Sequence, residues 1–212
     1  MIRTWAADIR PLLDETCYRT YYERVPKFRQ EKADALKLAQ GRAQSIGVWA
    51  LYEEMKKEYG IQKDAAYNLS HSGEYVLCSV HEGNNPSVLV GCDIEEVGTC
   101  NLKIARRFFC QSEYEKIAAE TEEERRNELF FRYWVLKESF IKATREGMAM
   151  ELDSFEILLG KSGEAPRLLK QPARYPETFY YMESATNDQK YRIAVCSTEA
   201  SIDPKIRVME FV

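Results

Sequence analysis

The stretch VGCDIEEV, residues 90–97, places the carboxylates Asp93 and Glu95 one residue apart within a run of β-formers. Valine and isoleucine suit extended backbone, so the stretch is predicted as a strand. Side chains in a strand alternate between its faces. Leu89, Gly91, Asp93 and Glu95 therefore share one face, while Val88, Val90, Cys92 and Ile94 line an apolar second face. Like charges side by side repel. Carboxylates roughly 6.5–7 Å apart along a strand can, however, converge on one hard cation. Mg²⁺ suits such a pair, because it takes a few carboxylates together with water and phosphate oxygens. Gly91 is read as room for a ligand on the same face. Glu96, of opposite parity, is expected to point away. Taken alone, the stretch also fits an acidic, solvated edge strand.

Working outward, EYVLCSV (74–80) and SVLVGCDIEEV (87–97) are β-rich runs separated by the turn-forming HEGNNP (81–86). They are predicted to pair as a hairpin. Upstream, RTWAADI (3–9) reads as an opening strand and Pro11–Tyr59 as helical, with Gly60 as a stop signal. Downstream, Leu102–Arg145 reads as helical. SFEILL, ETFYYME, YRIAVCS and IRVMEFV then read as strands, and GKSGEAP (160–166) as a turn. This order of strand, helices, strands, helices and strands predicts an α+β fold with mainly antiparallel sheets.

The 212 residues suit one large domain or two small fused ones, and 45% hydrophobic with 30% charged residues is ordinary for a globular chain. A net charge of −4 argues against a general nucleic-acid or membrane-surface binder. No apolar run is long enough to span a bilayer, and MIRTWAADIRPLLDE carries charges where a signal peptide needs an apolar block. The six cysteines form no C-x-x-C pair and are expected to be reduced thiols of a cytoplasmic protein.

Three further constellations bear on chemistry. In FFRYWVLKESFIKATREG (130–147), a helical step of about 100° per residue puts Glu138 and Lys142 inside the arc of Trp134, Phe131 and Val135. They read either as an i,i+4 surface ion pair or as a functional pair partly withdrawn from water. In YNLSHSGEYVLCSV (67–80), the small polar residues Asn68, Ser70, His71, Ser72 and Gly73 read as a loop ahead of a strand. That loop is either an ordinary turn or a phosphate-binding one. Lys27, Arg29, Lys32, Lys37 and Arg42 form a solvated helix face or a phosphate-binding edge.

In order along the chain, NLSHS (68–72), GCDIE (91–95), RFFCQSEY (107–114) and WVLKESFIK (134–142) resemble the motifs of the surfactin-type 4′-phosphopantetheinyl transferases. The match spans roughly residues 25–200. The resemblance implies two similar α/β lobes packed as a pseudo-dimer, divided as 1–102 and 103–212, in a chain that acts as a monomer. It implies transfer of phosphopantetheine from coenzyme A to a serine of an apo carrier protein, releasing 3′,5′-ADP, with Mg²⁺ (or Mn²⁺) held by Asp93, Glu95 and Glu138. Glu138 and Lys142 would be catalytic, as base and as phosphate contact. Ser70, His71, Lys32 and Arg42 would hold the nucleotide, with Arg29 competing with Lys32. The segment Cys110–Glu128, with Arg106, Arg107, Arg125 and Arg126, would help dock the carrier. Where the family has paired glycines after the second lysine, this chain has Arg145 and then Gly147. Two alternatives also fit the residues: a non-catalytic module that binds coenzyme A or a carrier protein, and another metal-dependent phosphoryl-transfer enzyme.

Overall fold

A computed structural model describes residues 1–212 apart from 84 and 162, with residue 148 described by its backbone alone. One order of elements occurs twice. In the first pass β1 (Ile2–Asp8) leads through α1 (Glu15–Tyr22), α2 (Lys27–Asp34) and the long α3 (Ala39–Tyr59) to the hairpin of β2 (Tyr67–Ser72) and β3 (Tyr75–His81). In the second, β4 (Val90–Glu96) leads through α4 (Leu102–Phe108), α5 (Gln111–Ala119) and the long α6 (Glu123–Thr144). A small pair, β5 (Glu156–Leu158) and β6 (Arg167–Lys170), precedes the hairpin of β7 (Tyr180–Ala185) and β8 (Tyr191–Ser197). β9 (Ile202–Met209) follows. The two main sheets have the orders β2-β3-β1-β9 and β4-β8-β7, and only β1–β9 among their pairs is parallel. The α+β class and the antiparallel bias are as the sequence predicts.

Two expectations about strands are corrected. NLSHS is not a loop but strand β2 itself, and the turn lies at Gly73, whose φ of +52° is glycine-like. β3 and β4 do not form a hairpin. β3 is flanked by β2 and β1 and has no free edge, so β4 ladders with β8, Asp93 opposite Ala194. Within HEGNNP and GKSGEAP, residues 84 and 162 lie outside the described residues. Sheet membership also departs from a division at residue 102. β4 already belongs to the second sheet, and β9 returns to the first, because each strand's amides pair where an edge is open.

Strand alternation builds the layers. Odd positions of β1 (Trp5, Ala7) and even positions of β3 (Val76, Cys78, Val80) pack with Leu51 and Met55 of α3. Ala194 and Cys196 of β8 pack with Phe140 and Val135 of α6. The opposite faces meet each other, with Ile2, Ala6 and Leu77 against Val90, Cys92, Ile94, Ile193 and Val195. The apolar face read from VGCDIEEV is thus the core between the two sheets. No helix among the described residues is long and apolar enough to cross a membrane.

One buried ion pair ties the second lobe together. Lys137 and Glu113, from the KES and SEY segments, lie 2.9 Å apart, both fully buried. Lys137 also donates to the carbonyls of Leu152 and Phe155, and Glu113 accepts from the amides of Cys110 and Ile157. Every charge has partners, so the pair persists despite its desolvation. Lys137→Met would leave Glu113 buried without its counter-charge, held only by the Cys110 and Ile157 amides. It should cost about 3–5 kcal/mol, read as a lower midpoint in urea unfolding, and adding Glu113→Gln should recover part of that loss.

Candidate active site

The site begins with an unusually close approach of helix to strand. A Cβ on Gly91 would overlap the Ser139 carbonyl oxygen and the Ala143 amide nitrogen. Gly91 therefore makes room for the backbone of α6, not for a ligand as its face suggested. That contact lays Glu138 and Lys142 over the acidic face of β4. Lys142 does not pair with Glu138. Its ammonium donates to Asp93 Oδ1 at 2.6 Å and to Ser70 Oγ at 2.9 Å. The i,i+4 surface pair is replaced by a bridge from helix to strand.

Asp93 is buried, and among the described residues its Oδ2 has no hydrogen-bond partner. Burial raises the Asp93 pKa against the opposing pull of Lys142 and Ser70. Burial, and then the Asp93 charge, likewise raises Glu95 and Glu138. Burial alone would lower Lys142, but Asp93 more than offsets it and the ammonium is stabilised. With the Asp93 charge raising both glutamates, the three carboxyls form a pocket short of positive charge. Among the described residues no three His, Cys, Asp or Glu side chains are drawn together closely enough to enclose an ion. The unpartnered Oδ2 nevertheless leaves a donor available beside Glu95 and Glu138. Glu96 is solvent-exposed, as its parity implies.

The second strand of the site is β2, whose edge meets the free edge of β4. The contact is made by side chains. Asn68 Oδ1, Ser70 Oγ and Ser72 Oγ accept from the amides of Cys92, Ile94 and Glu96 at 3.1, 3.3 and 3.1 Å. Ser70 donates to Asp93 at 2.9 Å and Ser72 to Glu95 at 2.7 Å. Ser70 thereby uses its one proton and both lone pairs within the protein, so it braces Asp93 and Lys142 instead of reaching a nucleotide directly. Sequence reading missed this seam. Its signal is the two-residue spacing of Asn68, Ser70 and Ser72 against that of Cys92, Ile94 and Glu96.

His71, of opposite parity, is solvent-exposed. Surrounding protein, and then the charges of Lys142, Lys32 and Arg29, hold its pKa below the ordinary imidazole value. Lys32 and Arg29 thus both act on His71. Arg29 is buried, its guanidinium 4.6 Å above the Trp49 ring and its Nε without a partner. Arg42 stands apart: it donates to the carbonyls of Leu36 and Lys37, satisfying backbone oxygens in the turn between α2 and α3.

A cleft of about 1120 Å³ opens beside Glu138 and Lys142, walled by Tyr67, Trp134, Ile141, Phe108 and Met150 and rimmed by Arg107 and Arg145. Of the docking segment, Glu113 is withdrawn into the core, while Arg106 and Arg107 are exposed. Arg125 pairs with Glu122, and Arg126 donates to the Glu120 carbonyl.

These features define an α+β chain of two topologically repeated lobes, with a lysine-and-carboxylate site at the seam between their sheets. It belongs to the 4′-phosphopantetheinyl transferase superfamily, whose family model matches residues 89–196. It is 32% identical over 148 residues to the 4′-phosphopantetheinyl transferase Sfp of Bacillus subtilis (strain 168), a match covering 70% of this chain and 62% of that protein. It is 34% identical over 143 residues to the 4′-phosphopantetheinyl transferase psf-1 of Bacillus pumilus, covering 68% and 57%. Against the 4′-phosphopantetheinyl transferase HetI of Nostoc sp. the figures are 38% over 109 residues, covering 50% and 43%. The chain thus spans about three-fifths of the length of the first curated relatives it matches.

α6 ends at Arg145, which adopts the left-handed conformation with φ 60° and ψ 15°, the position where glycine is favoured. A side chain there costs about 1 kcal/mol. Arg145→Gly should therefore raise stability by roughly that amount, measured as a higher thermal midpoint, and an unchanged midpoint would show the turn to be unstrained.

Proposed function

We propose that this chain transfers the 4′-phosphopantetheine group of coenzyme A to a serine hydroxyl of an apo carrier protein, releasing 3′,5′-ADP. The observation that carries this reading is the Lys142–Asp93–Ser70 bridge at the lobe seam. It sets a buried carboxylate with one unpartnered oxygen beside Glu95, Glu138 and a large cleft. Membership of the superfamily supports it.

The residues divide the work. Asp93, Glu95 and Glu138 suit a divalent cation, Mg²⁺ or Mn²⁺, since hard oxygen donors cluster there with net negative charge. When bound, the cation would offset charge on the diphosphate oxygens. Glu138 is half-buried with a raised pKa, which strengthens it as a base for the proton of the attacking serine. That serine oxygen forms a bond to the β-phosphorus as the bond from phosphorus to the bridging oxygen breaks, and the electron pair leaves on 3′,5′-ADP. Lys142 is held charged by Asp93 and is placed to stabilise the phosphoryl oxygens as charge builds. His71, Lys32 and Arg29 supply a cationic patch for the nucleotide's 3′-phosphate, whereas Arg42 is engaged with the Leu36 and Lys37 carbonyls. The repeated lobes within one chain support action as a monomer, with two lobes doing what a pair of subunits would otherwise do. The solvated surface and the six free cysteines are in keeping with a cytoplasmic setting.

An apo carrier protein incubated with the chain, coenzyme A and Mg²⁺ should gain one phosphopantetheine by mass spectrometry, and chelation should stop the reaction until Mg²⁺ is restored. Glu138→Gln should lower kcat by about 10²-fold or more with the fold retained by circular dichroism. No product with any of several carriers, or full turnover in Glu138→Gln, would contradict the reading.

His71 gives a signed pH prediction. Its free pKa lies below the ordinary value of 6.5, and a phosphate dianion beside it would raise that pKa. Binding then takes up a proton, so affinity for 3′,5′-ADP should rise as pH falls from about 8 towards about 6. His71→Ala should flatten that dependence in calorimetric titrations.

A further inference from the structure

We infer that Ser72 is a positioning residue for the cation-binding carboxylates: from β2 of one sheet, its hydroxyl sets the side chain of Glu95 on β4 of the other. This rests on the reading of Asp93, Glu95 and Glu138 as the cation's ligands, and it goes beyond that reading by assigning a residue that touches no substrate.

Glu95 and Asp93 are held very differently. Asp93 is buried and clamped by both Lys142 and Ser70. Glu95 is only half-buried, and among the described residues its carboxylate has one hydrogen-bond partner, Ser72 Oγ at 2.7 Å. A glutamate has several rotatable bonds, and the neighbouring Asp93 and Glu138 charges repel it towards water. Left alone it would spend much of its time turned out of the site. The hydroxyl proton of Ser72 opposes that, and Ser72 is itself anchored because its oxygen accepts from the Glu96 amide at 3.1 Å. The donor is thereby fixed to the strand that carries the acceptor. The Asn68 and Ser70 contacts with Cys92 and Ile94 hold the two strands in a register that brings Ser72 opposite Glu95. Partners of this kind, one step removed from a metal, orient its ligands and commonly carry 10–100-fold in affinity.

Ser72→Ala removes the donor while leaving the fold intact, since the Glu96 amide it abandons belongs to an exposed residue that water can satisfy. The test uses Mn²⁺ alone, titrated into the whole chain and followed by electron paramagnetic resonance of the free ion, so that binding is read without turnover. Ser72→Ala should weaken Mn²⁺ binding about tenfold and raise the Mg²⁺ concentration for half-maximal transfer by a similar factor. The KM for coenzyme A at saturating Mg²⁺ should stay as in the wild type. Ser72→Thr, which keeps the hydroxyl, should restore both values. If Glu95→Ala loses Mn²⁺ affinity while Ser72→Ala binds as the wild type does, the positioning role is overturned and the ligand assignment stands. If Glu95→Ala also binds as the wild type does, or the wild type binds no Mn²⁺, the ligand assignment falls and this inference with it.

Discussion

Two sheet edges that meet without a backbone ladder determine most of what this molecule can do. Had β2 and β4 paired amide to carbonyl, they would lie about 4.8 Å apart in one continuous sheet. Here a row of short polar side chains stands between them, so the Cys92, Ile94 and Glu96 amides are satisfied by Asn68, Ser70 and Ser72. The same hydroxyls face Asp93 and Glu95. Lys142 reaches that seam because Gly91 lets α6 ride directly on β4. Unpaired edges are normally a hazard. In this chain the edge is covered and its covering is polar enough to carry chemistry.

The repeated topology makes a useful internal comparison. β1 pairs with β3 over the same seven-residue register that joins β4 to β8, so Trp5 occupies the place in the first lobe that Asp93 occupies in the second. The edge that β4 presents to β2 corresponds to the edge of β1 that β9 covers with a parallel backbone ladder. Trp5 is capped by the Arg207 guanidinium at 4.3 Å and bonded through its indole nitrogen to Tyr59 at 2.9 Å. A backbone ladder, here paired from Thr4 to Ala7, leaves no row of side chains to brace a carboxylate, and an indole offers no oxygen to a cation. Of two positions made equivalent by topology, one therefore keeps the acidic site and the other is closed as core. The repeat is one of architecture, which is why no matching residues betray it along the chain.

How legible the molecule is from its residues follows from the range of each interaction. Short-range patterns were read correctly: the apolar alternation of Val88 to Ile94, the helix that ends at Gly60, and the long helix bearing Glu138 and Lys142. Partner choice was not, because it depends on which edges are already occupied. EYVLCSV and SVLVGCDIEEV are adjacent along the chain with a turn between them, yet β3 has both edges filled. The polarity of NLSHS suggested a loop, since Asn and Ser favour turns. In the fold those residues serve as a strand because their side chains substitute for a missing ladder. Gly91 was read as room for a ligand, whereas the space it leaves is filled by the backbone of α6. Lys137 and Glu113 lie in recognised motifs, but nothing local marks them as a buried pair, which only the docking of α5 on α6 creates.

Strand alternation also explains how one short segment presents two chemically different faces. Along β2, positions 68, 70 and 72 turn to the carboxylates, whereas His71 turns the other way, towards Lys32 and Arg29. The two sets of side chains are thereby held on opposite sides of one strand. Placed on opposite faces of one strand, with Asp93 buried and His71 at the surface, they present distinct fields. The polarity of β2 is thus a requirement of the site and of the lobe seam together, and a change to either side of the strand acts on both.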